Sequence, residues 1–441
     1  MTDTTSTSLL IQDARTTRRN RAEARFKAYG LTAIGIGMLM LLILLTTIIG
    51  RGYGAFQQTY LTLEVTLDAA KLDKKGNRDI ADIKKVSTFG YKPLLANAFE
   101  TLRDNGQITS DLSPKKMAGI LSKGAEAQMR NAVIADISII GDTVSFEFLA
   151  SGRVDGYLKG RVSRDSIAKD KNISPAQLDL VDQLMAEGVL EKRFNLAFIT
   201  GSDASDARPE AAGIGVSMVG SLFMMLVVLA LALPIGVAAS IYLEEFAPKN
   251  WITDIIEVNI SNLAAVPSIV FGILGLAVFI NYMHLPNSAP LVGGLVLTLM
   301  TLPTIIISTR ASLKSVPPSI RDAALGVGAS KMQSVFHHVL PLAAPGILTG
   351  TIIGLAQALG ETAPLLLIGM VGFIASNGPD SISAGLMNPN SAMPAQIYEW
   401  AKRADPAFYE RAWGGIIILL VFLITMNAIA VMLRRRFERR W

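Results

Sequence analysis

Long apolar segments alternate with charged stretches along this chain of 441 residues. A helix of about 20 apolar residues is long enough to cross the hydrocarbon layer of a bilayer. Each apolar segment reaches that length, so the pattern predicts a polytopic membrane protein. The six predicted spans are 29–49, 213–243, 255–280, 289–309, 343–372 and 413–433.

The region between the first two spans, residues 50–212, has a different pattern. Leucine and valine alternate with polar residues over 61–67, and Val144, Phe146 and Phe148 alternate in the same way, which predicts half-buried strands. Charged residues occur among apolar residues at helical spacing within 77–103, 112–130 and 174–192, which predicts helices in these segments. We therefore expect an α+β domain that ends in a turn-rich linker, 201–209. A spacer, a docking surface, an enzyme and a receptor all remain possible roles for it.

Charge is concentrated beside the membrane segments. Hydrophobic residues make up 51% of the chain and charged residues 17%, with a net charge of +5. Basic residues crowd the N-terminal tail, 1–28, and the C-terminal tail, 434–441, so the positive-inside rule predicts that both tails are cytoplasmic and that 50–212 is outside. The basic excess is topological and does not indicate nucleic-acid binding. The first span, 29–49, is expected to be an uncleaved anchor.

A polar island at 310–342 separates two of the spans. Pro317 and Pro318 end the preceding segment, and capping boxes are predicted at Ser319 with Asp322 and at Ser330 with Gln333. Two short helices follow from this pattern, each with an apolar face. The predicted faces are Ile320, Ala323, Ala324 and Val327 on the first helix, and Met332, Val335, Phe336, Val339 and Leu340 on the second.

An island of this size is too short to bury two apolar faces within itself. One interpretation is that these helices lie on the lipid surface as amphipathic segments. The other is a protein contact, which the low Lys and Arg content of the polar side and the paired glycines Gly326 and Gly328 favour. On the second interpretation, the island needs a partner protein.

The later spans contain prolines and one acidic residue. Pro234, Pro267, Pro303, Pro345 and Pro364 are predicted to free backbone carbonyls, at Leu263, Leu299 and Gly360 among others, either for a polar cavity or simply through packing kinks. Glu361 is predicted to lie well inside the fifth span. A carboxylate there costs roughly 2.5–3.5 kcal/mol, so it needs a cation, a proton or water, and both a structural ion pair and a transport role fit.

The island resembles the EAA loop of ABC importer permeases. The resemblance rests on Asp322-Ala323-Ala324, on Gly328 four residues later, and on Leu340-Pro341; Asp322 replaces the usual Glu, and His338 the usual Ile. In that family the loop is a coupling helix in a groove of the cytoplasmic ATPase. The resemblance implies ATPase coupling by Ser319, Asp322, Ala323, Ala324, Gly326, Gly328 and Ser330.

Two further runs resemble the A-type permease subunits of Pst phosphate importers. They are Asn262 to Gly272, reading NLAAVPSIVFG, and Ala356 to Leu366, reading AQALGETAPLL. Many relatives have Arg where this chain has Gln357, which implies that a companion subunit supplies the positive charge. The substrate-path candidates are Gln357, Glu361, Thr362, Asn262 and Ser268, with Glu361 expected to orient a partner's arginine.

The resemblance implies a mainly α fold with a type I ABC importer permease core over 213–433, of about five helices plus the coupling helix. The implied partners are a PstC-like permease subunit, a dimer of PstB-like ATPases that bind ATP and Mg²⁺, and a PstS-like phosphate-binding protein. The chain is expected to hold no cofactor, metal or catalytic site of its own, because it has no phosphate-binding loop motif, no cysteine, and three histidines not spaced as ligands.

Other functions remain open from the residues alone. A permease for sulfate or molybdate would share the same features. A membrane sensor would use 50–212 as its receptor, but it normally needs a cytoplasmic output module, and none is encoded here. A secondary phosphate carrier would not explain the docking helices.

Overall fold

The computed structural model describes residues 14–167, 172–370, 374 and 379–437, and most of these are helical. The chain forms two compact units, Met1–Arg51 and Gly52–Trp441. The first unit holds nearly all of α1 (Ala14–Gly52), an apolar helix long enough to span a membrane. Parts of both predicted basic tails, 1–13 and 438–441, lie outside the described residues.

The second unit begins with a three-stranded antiparallel sheet and short helices. The sheet order is β2-β1-β3, with β1 at Gln57–Thr66, β2 at Thr143–Leu149 and β3 at Leu190–Phe194. The helices are α2 (Ala69–Leu72), α3 (Ile80–Ile83), α4 (Lys92–Asp104), α5 (Pro114–Met117), α6 (Ala125–Ala135), α7 (Gly152–Leu158), α8 (Arg164–Ile167), α9 (Pro175–Ala186) and α10 (Leu196–Thr200).

The sheet and these helices share one hydrophobic core. Leu61, Leu63 and Phe148 are completely or almost completely buried on the inner face of the sheet, because alternate residues of a strand point to the same side. The two strands predicted from alternation are therefore present. The prediction of helix throughout 174–192 is wrong at its end, where β3 forms. That strand is mostly exposed and polar, and pairing with β1 rather than its own periodicity determines it.

The remaining helices are mostly long and apolar. They are α11 (Gly215–Ile241), α12 (Trp251–Ala264), α13 (Ser268–Leu274), α14 (Pro290–Ser315), α15 (Pro318–Gly326), α16 (Lys331–Ser334), α17 (Leu340–Gly360), α18 (Ala363–Leu367), α19 (Ile382–Met387), α20 (Met393–Lys402) and α21 (Pro406–Phe437). Five helices, or six with a bent pair, are long and apolar enough to cross a membrane among the described residues.

Small residues let the central helices approach closely. Gly293 faces Met224 and Gly236 faces Ile305, so α11 and α14 run in the same direction. Gly346 and Gly350 lie against the hydroxyl-bearing side chains of Ser312 and Ser308, so α17 runs opposite to α14. A methyl group on any of these glycines would collide with its neighbour, which is why small residues are required at these contacts.

The predicted span 255–280 is not a straight helix. Helices α12 and α13 meet at an angle of 103° across a short break that contains Pro267. The expectation that Pro267 frees the carbonyl of Leu263 is wrong, because α12 ends first and that carbonyl accepts a hydrogen bond from the Val266 amide at 3.2 Å. Pro234, Pro303 and Pro345, in contrast, lie inside continuous helices.

A buried arginine joins the sheet-containing part to the last long helix. Arg411, near the start of α21, is 2% exposed. It donates hydrogen bonds to the carbonyl of Ala55 at 2.8 Å, to Oε1 of Gln58 at 2.6 Å and to the carbonyl of Glu210 at 3.0 Å. Its guanidinium also lies 5.2 Å from the centre of the Phe198 ring. A buried guanidinium requires such a full set of partners.

Further ion pairs surround this junction. Lys159 contacts Asp155 at 2.6 Å and Glu410 at 3.0 Å, and Arg161 pairs with the same two carboxylates. In the segment predicted as a turn-rich linker, Asp203 is buried, where it accepts hydrogen bonds from the Trp400 indole at 2.8 Å and from Arg403 at 2.6 Å. These contacts fix the sheet-containing part to the start of α21 instead of leaving it on a loose tether.

Glu210 lies in the same junction, and burial raises the pKa of its carboxyl above the ordinary value of 4.5, against the hydrogen bonds from Ser122 and the Gly152 amide. A raised folded-state pKa means that the folded protein binds this proton more tightly than the unfolded chain does. The contribution of Glu210 to stability is therefore present at acidic pH and is lost as the pH rises through the raised pKa.

We predict that Glu210→Gln reduces this loss of stability above pH 4.5. The measurement is the unfolding temperature of the purified protein across a pH series. Glu187→Gln, which changes an exposed glutamate at the end of α9, is the matched control and should keep the parent profile. An identical pH profile for Glu210→Gln and the parent would contradict the assignment.

Candidate coupling and translocation sites

Helix α15 is the short helix that the sequence places in the polar island. It begins at Pro318, with Pro317 as its N-cap, so Ser319 already lies inside the first turn. The predicted capping box of Ser319 with Asp322 is therefore wrong, because no side chain caps this end. A proline is well suited to the first helical position, where its missing N–H would have no partner in any case.

The end of α15 is closed by a Schellman motif. The amide of Ala329 donates to the carbonyl of Ala324 at 3.1 Å, and the amide of Gly328 donates to the carbonyl of Leu325 at 3.0 Å. Gly328 has a φ of +89°, in the left-handed region that favours glycine, whereas Gly326 is the last helical residue. The two glycines therefore have different structural roles.

The second capping box is confirmed, but the helix that it starts is not short. Ser330 accepts from the Gln333 amide at 3.2 Å, and Gln333 accepts from the Ser330 amide at 2.9 Å. From there α16, a π turn at Val335–Val339 and α17 follow one another directly. The prediction of two separate short helices is wrong, because a π turn directly before Pro341 accommodates the proline's missing N–H and the helix continues.

The apolar faces of the island divide between the protein core and the surface. Val335 and Val339 are buried against Leu313 and Val316, whereas Met332 and Phe336 of the same predicted face are exposed, so the second face packs only in part within this chain. Ala324 is buried and Ile320 half-buried, whereas Ala323 is exposed, so the predicted first face is only partly correct. The exposed apolar side chains form what we call the apolar patch: Leu325 (48% exposed), Val327 (87%), Met332 (59%) and Phe336 (43%).

Arg310, near the end of α14, forms ion pairs with two glutamates. Its guanidinium contacts Glu257 at 2.5 Å and Glu244 at 3.3 Å. Arg321 similarly contacts Glu245 at 2.6 Å. Our sequence reasoning missed these acidic partners, although an adjacent acidic pair directly after an apolar segment is a usable signal for them.

The candidate path residues lie around two helix breaks. Helix α17 ends at Gly360, and Thr362 is the N-cap of α18, so Glu361 lies in the break and not within a continuous span. Ser268 is the first residue of α13, directly after the other break. Residues 371 and 372 of the predicted fifth span lie outside the described residues.

The helices that follow the two breaks pack against each other. Gly272 lies against Pro364, where a methyl group would approach the Pro364 Cα to 2.7 Å, and Gly275 approaches Ile368. Helices α13 and α18 therefore run in the same direction, with the fifth residue of α13 against the second residue of α18. Ser268 precedes this contact on its helix, as Glu361 and Thr362 do on the other side. Gln357 on α17 and Asn262 on α12 are exposed. The contacts of Gly272 and Gly275 do not join these two residues to Ser268, Glu361 or Thr362.

Glu361 is half-buried, and its side chain has neither an ion pair nor a hydrogen bond to any residue that the structure describes. In a membrane, a half-buried carboxylate requires a cation, a proton or water. The described residues of this chain do not provide that cation or proton for Glu361.

Two family models match the chain. The first, described as a domain of unknown function (DUF3333), matches residues 13–168. The second, described as the binding-protein-dependent transport system inner membrane component, matches residues 232–441 and so contains both candidate sites.

Curated relatives match the same half of the chain. The phosphate transport system permease protein PstA 1 of Mycobacterium tuberculosis is 30% identical over 231 residues, covering 52% of this chain and 73% of the relative. The PstA protein of Yersinia pestis is 30% identical over 225 residues, covering 50% and 73%. A solved chain of the MetNI methionine ABC transporter is 16% identical and covers 50% of this chain and 94% of that chain, with a TM-score of 0.38, which does not establish a shared fold.

We predict different effects for the two glycines of α15. Gly328→Ala places a side chain at φ +89° and should destabilise this turn by about 1 kcal/mol, whereas Gly326→Ala, with open space around it and a helical backbone, should be neutral or slightly stabilising. Amide hydrogen exchange of residues 318–334 in the purified protein measures the difference. Equal protection in the two variants would contradict the assignment of Gly328 as the residue that requires left-handed geometry.

Proposed function

This chain belongs to the PstA-type permeases, and we propose that it acts as a transmembrane permease subunit of an ATP-driven importer of inorganic phosphate. The support for phosphate is the identity with curated phosphate permeases over the half of the chain that holds both candidate sites. In this proposal ATP and Mg²⁺ bind to partner ATPase subunits, and this chain catalyses no reaction and binds no cofactor.

The apolar patch is the observation that carries the coupling role. Four large apolar side chains are exposed on a short helix and on the start of the next, between two long apolar helices. Burying one such side chain is worth about 1.5–3 kcal/mol, so a protein partner that covers the patch gains substantial affinity. We propose that the patch occupies a groove in one of two PstB-like ATPases, with Asp322 and Ala323 exposed beside it.

The substrate path in our proposal passes the two helix breaks. Ser268 and Thr362 offer hydroxyl groups to phosphate oxygens, and Gln357 offers an amide. A bare carboxylate would repel a phosphate dianion, so Glu361 is better suited to orient an arginine of a PstC-like second permease subunit. The absence of a described partner for Glu361 within this chain supports this role.

The membrane topology that we propose has six crossings and both termini in the cytoplasm of a bacterium. Helices α11 and α14 run in the same direction, so the chain between them must cross the membrane once, and we count the bent pair α12 and α13 as that crossing. Basic residues in the first turns of α1 and at the end of α21 then face the cytoplasm, as does the coupling helix. The sheet-containing part lies outside, where a PstS-like binding protein delivers phosphate.

The apolar patch can be tested by adding a charge to it. Val327→Asp should reduce co-purification of the ATPase subunits at least tenfold and abolish phosphate uptake, because the new carboxylate must be desolvated at the contact. Lys249→Asp places the same group in the exposed loop before α12 and is the matched control. Normal co-purification with Val327→Asp, in a protein with parental stability, would contradict docking through the patch.

The substrate can be tested in the reconstituted importer. We predict that inorganic phosphate, presented with the binding protein, stimulates ATP hydrolysis several-fold over the basal rate, while sulfate and molybdate do not. Measured stimulation by sulfate or molybdate in preference to phosphate would reassign the substrate to that oxyanion and leave the permease role intact.

A further inference from the structure

Two adjacent glutamates end helix α11 on a π turn, Tyr242–Phe246. In this wider turn, Glu244 contacts a basic residue of α14 and Glu245 contacts a basic residue of α15. The side chain of Glu245 is only 7% exposed, so its charge requires a close partner.

Arg321 of α15 supplies that partner and also binds the end of α14. Its Nη2 lies 2.6 Å and its Nε 3.1 Å from Oε1 of Glu245. The same guanidinium donates to the carbonyl of Val316 at 2.8 Å and to that of Leu313 at 2.9 Å. One side chain therefore ties α15 to the ends of both α11 and α14.

The apolar contacts of α15 with the rest of the chain are small by comparison. Only Ala324 is buried and Ile320 half-buried, while the other large apolar side chains of its last turn face outward. Besides its chain connections at 316–317 and 327–330 and its packing against 331–339, α15 is therefore held to the permease by the contacts of Arg321.

A second arginine extends the connection. Arg310 of α14 joins Glu244 to Glu257 of α12, and Lys314 lies 3.6 Å from Glu244. Helix α12 leads to the break at 265–267, and beyond it α13 packs on α18 beside Glu361. The two ion-pair groups thus link the coupling helix to the helix that leads into the proposed substrate path.

We propose that Arg321 is a positioning residue for transport, and that its ion pair with Glu245 stays closed throughout the cycle, so that α15 moves as one body with the ends of α11 and α14. The inference rests on the proposed function and adds the route by which the ATPase movement reaches the permease. Arg321 lies on the side of α15 that faces this chain, so its role differs from that of the apolar patch.

The first test compares variants in the complete reconstituted importer. Arg321→Gln should leave co-purification of the ATPase subunits unchanged but lower the ratio of phosphate-stimulated to basal ATP hydrolysis at least fivefold. Arg321→Lys, which keeps a positively charged donor beside Glu245, should retain at least half of the parental ratio. Arg435→Gln, an exposed arginine at the end of α21, is the matched control and should keep that ratio.

The outcomes separate this inference from the proposed function. If the unaltered importer shows no stimulation by phosphate or another oxyanion, the proposed function fails. If stimulation is normal but Arg321→Gln retains it, only the role of Arg321 fails. Loss of ATPase co-purification with Arg321→Gln would also overturn the inference, because Arg321 would then serve docking.

A covalent link tests whether the contact stays closed. The chain has no cysteine, so Glu245→Cys with Arg321→Cys introduces its only two thiols, which a short bifunctional thiol reagent can bridge. We expect bridging to restore the stimulated-to-basal ratio at least threefold relative to the unbridged double variant, with each single-cysteine variant unaffected by the reagent. A bridge that blocks stimulated hydrolysis would overturn the inference, because the contact would then have to open.

Discussion

The pairing of charges at the ends of apolar helices is the constraint on which this structure depends. Removing an ion from water is costly unless oppositely charged groups and hydrogen bonds replace the solvent. At one end of the bundle, Arg411, Asp155 and Glu410 lie in a buried network, and at the other end Arg310 and Arg321 bind the glutamates of α11 and α12. Glu361 departs from this pattern, and that departure is what marks it as a functional candidate.

The network around Arg411 changes the interpretation of the region between the first two spans. The sequence left open a simple spacer joined by a turn-rich linker. The structure instead holds this region against the start of α21 through buried contacts on both the sheet side and the linker side. The sheet-containing part is therefore held against the start of α21 by buried polar contacts.

The central helices combine close packing with local interruptions. Small residues hold α11, α14 and α17 together, whereas the breaks at Pro267 and at Glu361 lie beside one another. Prolines inside α11, α14 and α17 are tolerated without a break because the flanking residues keep these helices packed. Proline therefore interrupts the helix at Pro267 but not inside α11, α14 or α17, and the packing of neighbouring helices decides which of the two occurs.

The sequence alone determined the elements that depend on local pattern. Apolar length identified the long apolar helices, alternation identified β1 and β2, and the proline pair placed the short helix α15 between two spans. Ser330 with Gln333 was also readable, because a capping box involves only residues three positions apart. The roles of Ser319, Asp322, Ala323, Ala324 and the path residues are still predictions, since geometry alone does not test them.

Tertiary structure decided everything that depends on distant partners. The edge strand β3 follows from its pairing with β1, and the packing of α13 on α18 brings together the helices that follow the breaks at Pro267 and Glu361. The glutamate partners of Arg310 and Arg321 and the hydrogen-bond partners of Arg411 are separated from them by 53 to 356 residues along the chain. Local spacing carries no information about such contacts, because the fold and not the neighbouring sequence brings these charges together.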